Sequence, residues 1–410
     1  MNMKNMLEKY AKLAVKKGVN LQKEQVLLIN SPVECVDFAR AITKVAYEEG
    51  AKEVIVHYGD QNIQRLKLQH ATIDTLKDVP NWVAESYISY AREGCCVISI
   101  SASDPDAFKG IPMEKISAYQ KSRQIALKEY YNYSMSNKIR WTVVSVPTEA
   151  WALKVFNESN AEEAVDKLWN VIFDVVRLNN DDPIKAWDEH NENLDKKLEF
   201  LNKYKFKTLH YTNSQGTDLT IELPEDHIWL GGSEKCNLGI EFNANMPTEE
   251  VFTLPKKDGV NGVVTSSKPL SYGGNLINNF SLTFKDGQVI DFKAEEGYDT
   301  LKDLLDSDEG ARYLGEVALV PYDSPISNSN IIFYNTLFDE NAACHLAFGE
   351  AYPTCLVNGE NLSKEDLAKK GANSSIVHVD FMVGTKDLNI VGYTSDNEEI
   401  QIFKNGNWAM

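Results

Sequence analysis

Residues 25–60, QVLLINSPVECVDFARAITKVAYEEGAKEVIVHYGD, read as strand, helix, strand. QVLLIN (25–30) is a short apolar run of strand length, as a strand buried on both faces requires. A helix over 34–49 follows and stops at Gly50, a residue that ends helices by taking up a left-handed backbone. EVIVHYGD (53–60) is the second strand. Two strands joined through a helix are the repeating unit of a parallel sheet.

The same alternation extends outward from this stretch. Upstream, Leu7, Tyr10, Ala11, Ala14 and Val15 recur at helical spacing. Downstream, CCVISISAS (95–103) and IRWTVVSVP (139–147) are further strands, with helical stretches between them. The N-terminal part is therefore expected to be an α/β domain with a parallel, doubly wound sheet. A nucleotide-binding reading fails. No G-x-G-x-x-G follows the first strand, no G-x-x-x-x-G-K-[ST] occurs, and the turn after QVLLIN is SPVE, without glycine. Residues 158–205 carry charged, amphipathic helices broken by the loop LNNDDP (178–183). From 206 the pattern changes to strands: FKTLHYTN, TDLTIELP, then SLTFKDGQVIDFKAEEG, a hairpin turning at Asp286-Gly287. Convincing helices are confined there to 298–306 and 363–370. The expected organisation is an α/β domain over 1–185, a helical connector over 186–205 and, over 206–410, an α+β domain dominated by antiparallel sheet.

Composition narrows the function. A formal net charge of −18, from 60 acidic and 42 basic residues, argues against nucleic-acid or anionic-membrane partners, because phosphate rewards Lys and Arg clusters. The pairs Lys196-Lys197 and Lys256-Lys257 are isolated. No segment approaches the roughly 18 apolar residues of a membrane span, and the N-terminus reads as an amphipathic helix, not a signal peptide. Six cysteines at irregular spacing, with no C-x-x-C, fit a reduced, cytoplasmic protein.

Polar residues embedded in apolar surroundings recur at four places in the second half. In SSIVHVDFMVG (374–384), strand alternation sets His378 and Asp380 side by side while Val377, Val379 and Phe381 pack behind them. A lone His-x-Asp is more often a hydrogen-bonded surface pair; the other three places change that balance. In NMPTEEVFTLP (245–255), one of two adjacent carboxylates should face inward, Glu250 sharing the side of Phe252 and Glu249 that of Val251. Glu316 heads the apolar run Val317-Ala318-Leu319-Val320. In FYNTLFDENAACHLAFGEAYP (333–353), Glu340 and His345 lie five apart, with Glu350 and Tyr352 following. His57, His70, His190, His210 and His227 stand in charged or solvent-facing contexts and are assigned no role. Glu250, Glu316, Glu340, His345, His378 and Asp380 together match the needs of two divalent cations. Four carboxylates about 4 Å apart repel by roughly 4 kcal/mol per pair at an effective dielectric of 20, so a bare cluster would protonate. Two-metal sites of this kind hydrolyse amides and phosphates. The residues alone leave open a peptidase, a two-metal amidase or phosphoesterase, and a non-catalytic metal-binding protein.

NMPTEEVFTLP, FDENAACHLAFGEAYP and SSIVHVDFMVG, together with RWTVVSVPTEAWA (140–152), strongly resemble the metallo-aminopeptidase family of aminopeptidases T, S and II. The likeness runs in order over the whole chain, and the absence of H-E-x-x-H separates it from thermolysin-type zinc peptidases. The resemblance implies an N-terminal α/β domain, a C-terminal catalytic domain and a homodimer with an enclosed site. It further implies an aminopeptidase that hydrolyses N-terminal residues from short peptides bearing a free N-terminus. Two cocatalytic divalent ions per subunit (zinc, cobalt, magnesium or manganese) and a metal-bound water nucleophile would serve it. By position, Glu250, Glu316, Glu340, His345, His378 and Asp380 match the family's metal site, and Tyr352 matches its catalytic tyrosine. Glu316 is then the carboxylate closest to the nucleophile, either bridging the metals or taking its proton. The Tyr352 hydroxyl would donate to the tetrahedral oxyanion.

Overall fold

The apolar runs of the N-terminal part pair in parallel. In the computed structural model, which describes residues 3–273 and 275–410, β1 (Val26–Pro32) lies between β2 (Glu53–Gly59) and β3 (Cys96–Ile100), and β4 (Arg140–Val144) continues beyond β3. The order β2-β1-β3-β4 means the chain leaves β1 to one side and resumes on the other, the doubly wound arrangement. Alternate residues of β1 serve opposite faces. Val26 and Leu28 join Val97 beneath the helices Asn81–Arg92 and Lys128–Met135, while Leu27 and Ile29 are equally buried on the other side.

This α/β unit comprises Met1–Glu189 and Ser233–Pro247. The second segment returns to the first through Val143, which donates its N–H to Ala244 O at 2.8 Å. At the carboxyl ends of the four strands lies a cavity of about 860 Å³ whose lining includes Glu34, Asp104, Glu149, Glu162 and Asp166. Such a lining repels phosphate, in keeping with the absence of a glycine-rich phosphate loop. No helix among the described residues is long and apolar enough to cross a membrane.

The other unit, His190–Gly232 with Thr248–Met410, is antiparallel. One sheet of nine strands runs from Leu270–Tyr272 to Asn407–Trp408 and includes the hairpin Asn275–Lys285 with Gln288–Glu296. That hairpin turns at Asp286 (φ +48°) and Gly287 (φ +81°), the left-handed pair a two-residue turn requires. The second sheet orders Leu230–Gly231, Val251–Thr253, Leu314–Leu319, His345–Gly349 and His378–Met382 side by side. Helices Tyr298–Leu305 and Lys364–Lys369 lie where the pattern places them. The single-turn helices Pro325–Asn328 and Thr336–Asp339 are additions, since one turn is too short to display a helical period.

The five-stranded sheet separates core from chemistry. Val317, Leu319, Leu346, Phe348 and Phe381 share one apolar cluster with Leu209, Ile221 and Ile390 of the nine-stranded sheet. Strand alternation therefore assigns Glu316, His345, His378 and Asp380 to the opposite face. Ala347 stands in register between Glu316 and Asp380, and Ala318 opposite His345. These small residues leave the polar side chains room to converge. The register shifts between Leu314 and Glu316. At Gly349 (φ +97°) an added Cβ would meet Val377 O at 2.0 Å. Gly349→Ala should accordingly lower the stability of the metal-free protein by about 3 kcal/mol, read as a reduced urea midpoint. A wild-type midpoint would contradict the close approach.

Candidate metal centre

Glu316 occupies the central strand of this sheet and is 5% exposed, a setting in which an unpaired carboxylate is costly. Its two oxygens go separate ways. Oε1 lies 3.5 Å from His345 Nε2, and Oε2 lies 3.5 Å from His378 Nε2. His345 Nε2 is also 3.1 Å from Glu250 Oε2, and His378 Nε2 is 3.4 Å from Asp380 Oδ1. Two donor groups result, Glu250–Glu316–His345 and Glu316–His378–Asp380, with the ligand atoms of each within 4.8 Å of one another. Glu316 belongs to both. Each imidazole is anchored at its far nitrogen: His345 Nδ1–H donates to Ala343 O at 3.1 Å, and His378 Nδ1–H to Glu350 O at 2.7 Å. A carbonyl can only accept, so in both rings Nε2 is the nitrogen offered to the cluster.

The electrostatics show what the cluster lacks. Burial, reinforced by Asp380 and Glu250, raises the Glu316 carboxyl above its ordinary range against the lowering effect of the histidines. Burial, then Glu250 and Asp380, push Glu340 well above it. Burial opposes charge on the imidazoles, yet Glu250 and Glu316 hold His345 well above its usual value, and Asp380 and Glu316 carry His378 up to about 10. The histidines thus carry the counter-charge when no cation does. That compensation is incomplete, because Glu250 Oε2 and Asp380 Oδ1 are buried and receive no well-aligned hydrogen bond, although each faces an imidazole Nε2. Orphaned carboxylate oxygens beside neutralisable imidazole nitrogens are the donor set of a divalent metal. The residues fit such an ion.

Metal capture at Nε2 requires neutral imidazole, so protons held near pH 7 must leave. Adding a divalent metal to chelated protein should therefore release protons, and apparent affinity should strengthen from about pH 6 to about pH 9. Affinity that stays flat across that window would contradict imidazolium–carboxylate pairing.

Of the seven residues singled out in the sequence, Glu250, Glu316, His345, His378 and Asp380 meet directly. The Tyr352 ring lies against His378, with centroids 4.9 Å apart, and near Phe252 at 5.9 Å. Burial and then the carboxylates of Glu316, Asp380, Glu340 and Glu250 raise its phenol well above 10, so the hydroxyl keeps its proton. Glu340, on the turn Glu340–Ala342, feels the charges of Glu250, Asp380, His345 and Glu316 but lies outside both tight donor groups.

Two expectations are corrected. Glu249 and Glu250 are both buried, at 6% and 8% exposure, where alternation predicts one facing inward. The strand begins only at Val251, so period two does not yet govern the pair. The Glu249 N–H donates to Asn341 Oδ1 at 2.7 Å, and its carboxylate lies 3.8 Å from His190 Nε2. Nor are His190 and His227 solvent-facing. His190 Nε2–H donates to Thr248 O at 2.7 Å, and His227, 5% exposed, donates from Nδ1 to Pro224 O at 2.7 Å. His190 was detectable, since it shares a helical face with Leu194 and Leu201 inside a charged helix.

Residues 3–408 match the family model described as "Thermophilic metalloprotease (M29)". The chain is 52% identical over 403 residues to aminopeptidase AmpS of Bacillus subtilis (strain 168), covering 98% of each chain. It is 51% identical over 403 residues to aminopeptidase 2 of Geobacillus stearothermophilus, covering 98% of this chain and 97% of the other. The solved structure of wild-type AmpT from Thermus thermophilus superposes with a TM-score of 0.94 at 41% identity, covering all of both chains. With a buried His/carboxylate cluster suited to divalent metal and a match along its whole length, the chain belongs to the M29 family of thermophilic metalloproteases.

Proposed function

We propose that this protein is a metal-dependent aminopeptidase that hydrolyses N-terminal residues from short peptides, using two divalent ions held by the cluster around Glu316. The observation that carries the reading is the division of Glu316 between two histidine-centred donor groups. Glu250 and His345, with Glu340 beside them, would hold one ion; His378 and Asp380 would hold the other; Glu316 would serve both. Two such ions supply Lewis-acid polarisation of the scissile carbonyl and a water made nucleophilic near neutral pH. Zinc, cobalt, magnesium and manganese are all compatible with this mixed donor set.

The chain's own side chains supply the remaining roles. Glu316, shared by both donor groups, is the carboxylate closest to where the nucleophile would stand, and would either hold both ions or take its proton. The protonated Tyr352 Oη is a donor for the oxygen that becomes negative as the carbonyl is attacked. The peptide's free α-amine would dock beside one ion or an acidic side chain, which favours cutting next to a free N-terminus.

In this reading the catalytic domain lies within residues 206–410, less Ser233–Pro247, which belong to the α/β unit. Residues 1–185 are the N-terminal domain and 186–205 the connector, most of which packs with the catalytic unit. Family likeness supports a homodimer. Six buried cysteines, with no disulfide among the described residues, support a cytoplasmic setting. The names of the matching relatives favour a peptidase over a phosphoesterase.

Exhaustive chelation should abolish hydrolysis of leucyl-p-nitroanilide, and back-titration should restore it as two equivalents bind. The N-acetylated substrate and p-nitrophenyl phosphate should remain uncut. Undiminished activity after chelation would sink the assignment. Tyr352→Phe should lower kcat by about 100-fold with bound metal unchanged; loss of metal in that variant would remove Tyr352 from its catalytic role.

A further inference from the structure

We propose that Glu350, which belongs to neither donor group, is a positioning residue that holds His378 in place through its carboxylate; the inference rests on reading the cluster as a metal centre. Glu350 follows directly on the His345–Gly349 strand and makes three hydrogen bonds to the stretch 375–378. Its N–H donates to Val377 O at 2.7 Å, its carbonyl accepts from His378 Nδ1 at 2.7 Å, and its Oε2 accepts from the Ser375 N–H. A second carboxylate closes the clamp. Asp308 Oδ1 accepts from Ser375 Oγ at 2.7 Å, and Asp308 Oδ2 from the Ile376 N–H at 2.8 Å, while Ser375 Oγ accepts from the Val377 N–H at 3.2 Å.

The need for a clamp follows from topology. Among the described residues the His378–Met382 strand pairs only with the His345 strand and so forms an edge of its sheet, reached at its far end by the Ser267 N–H, which donates to Met382 O at 2.8 Å. Edge segments of this kind shift readily unless something else binds their backbone. Here the N–H groups of Ser375, Ile376 and Val377 are satisfied by side chains of Glu350, Asp308 and Ser375. The Glu350 carbonyl is itself tightly seated: a Cβ on Gly315 would meet it at 2.3 Å. One residue thus fixes both the ring orientation of His378 and the backbone that delivers it. Tyr352, two residues on, rests against the same ring.

Removing the carboxylate leaves the two backbone bonds of Glu350 but frees the Ser375 N–H, so the His378 nitrogen loses its fixed distance to Glu316 and Asp380. Groups that orient a ligand from outside the metal shell typically change metal affinity by tenfold or more. Glu350 is only half-buried, so substitution opens no core cavity. Glu350→Gln keeps an acceptor for Ser375; Glu350→Ala and the near-isosteric Glu350→Met do not.

The test is titration of chelated full-length wild type and the three variants with Co²⁺ and with Zn²⁺ against a competing indicator, with Tm recorded before and after loading. E350A and E350M should bind one equivalent about tenfold more weakly, with a smaller metal-induced rise in Tm. E350Q should stay within about twofold of wild type. If either acceptor-less variant folds poorly, the other is read. Wild-type affinities in E350A or E350M overturn the proposal, as does an E350Q as impaired as they are. Equal losses of Tm with and without metal, at unchanged affinity, also overturn it by making the role merely structural. Wild type that takes up no metal, or one equivalent only, counts against the two-ion reading instead; the ratio of variant to wild-type affinity still judges Glu350 on whatever binds.

Discussion

A carboxylate in the middle of a strand whose every residue is buried must place its charge on something nearby. Glu316 is in that position, and its two oxygens face two different imidazoles. Each imidazole in turn faces a further carboxylate, Glu250 or Asp380. The chain of contacts alternates in sign yet ends in buried carboxylate oxygens that receive no well-aligned hydrogen bond. Negative groups outnumber the protons two rings can hold, and multivalent cations answer that excess while displacing the ring protons.

The sheet around Glu316 makes this concentration of charge tolerable. One face of each strand carries large apolar residues into the core shared with the nine-stranded sheet, which supplies the hydrophobic stabilisation. The other face combines small residues, Ala318 and Ala347, with the polar side chains. Backbone carbonyls of Ala343 and Glu350 then fix which nitrogen each histidine presents. Glu316, His345, His378 and Asp380 are thus held on rigid strands, with the segments between elements supplying Glu250, Glu340 and the approach to His378.

The α/β unit illustrates how little topology alone says about activity. A doubly wound sheet with a crevice at its carboxyl edge invites a nucleotide, but the crevice is lined with carboxylates and no glycine loop precedes its helices. Its fold belongs to a widespread class; its side chains do not follow that class's commonest ligand.

Wherever a period extends through an element, the amino-acid order alone determined the outcome. QVLLIN had to be a buried strand and EVIVHYGD a parallel partner to it, Asp286-Gly287 had to turn a hairpin, and Val379 and Phe381 had to face away from His378 and Asp380. Periodicity stops at the end of an element, and there tertiary structure took over. The burial of Glu249 beside Glu250, the inward turn of His190 and the grip of Glu350 on 375–378 each depend on a partner dozens of residues away. Convergence of side chains from 250, 316, 345 and 378 is set by the antiparallel register of separate strands. No local pattern encodes that register, because it follows from which strands become neighbours once the core has closed.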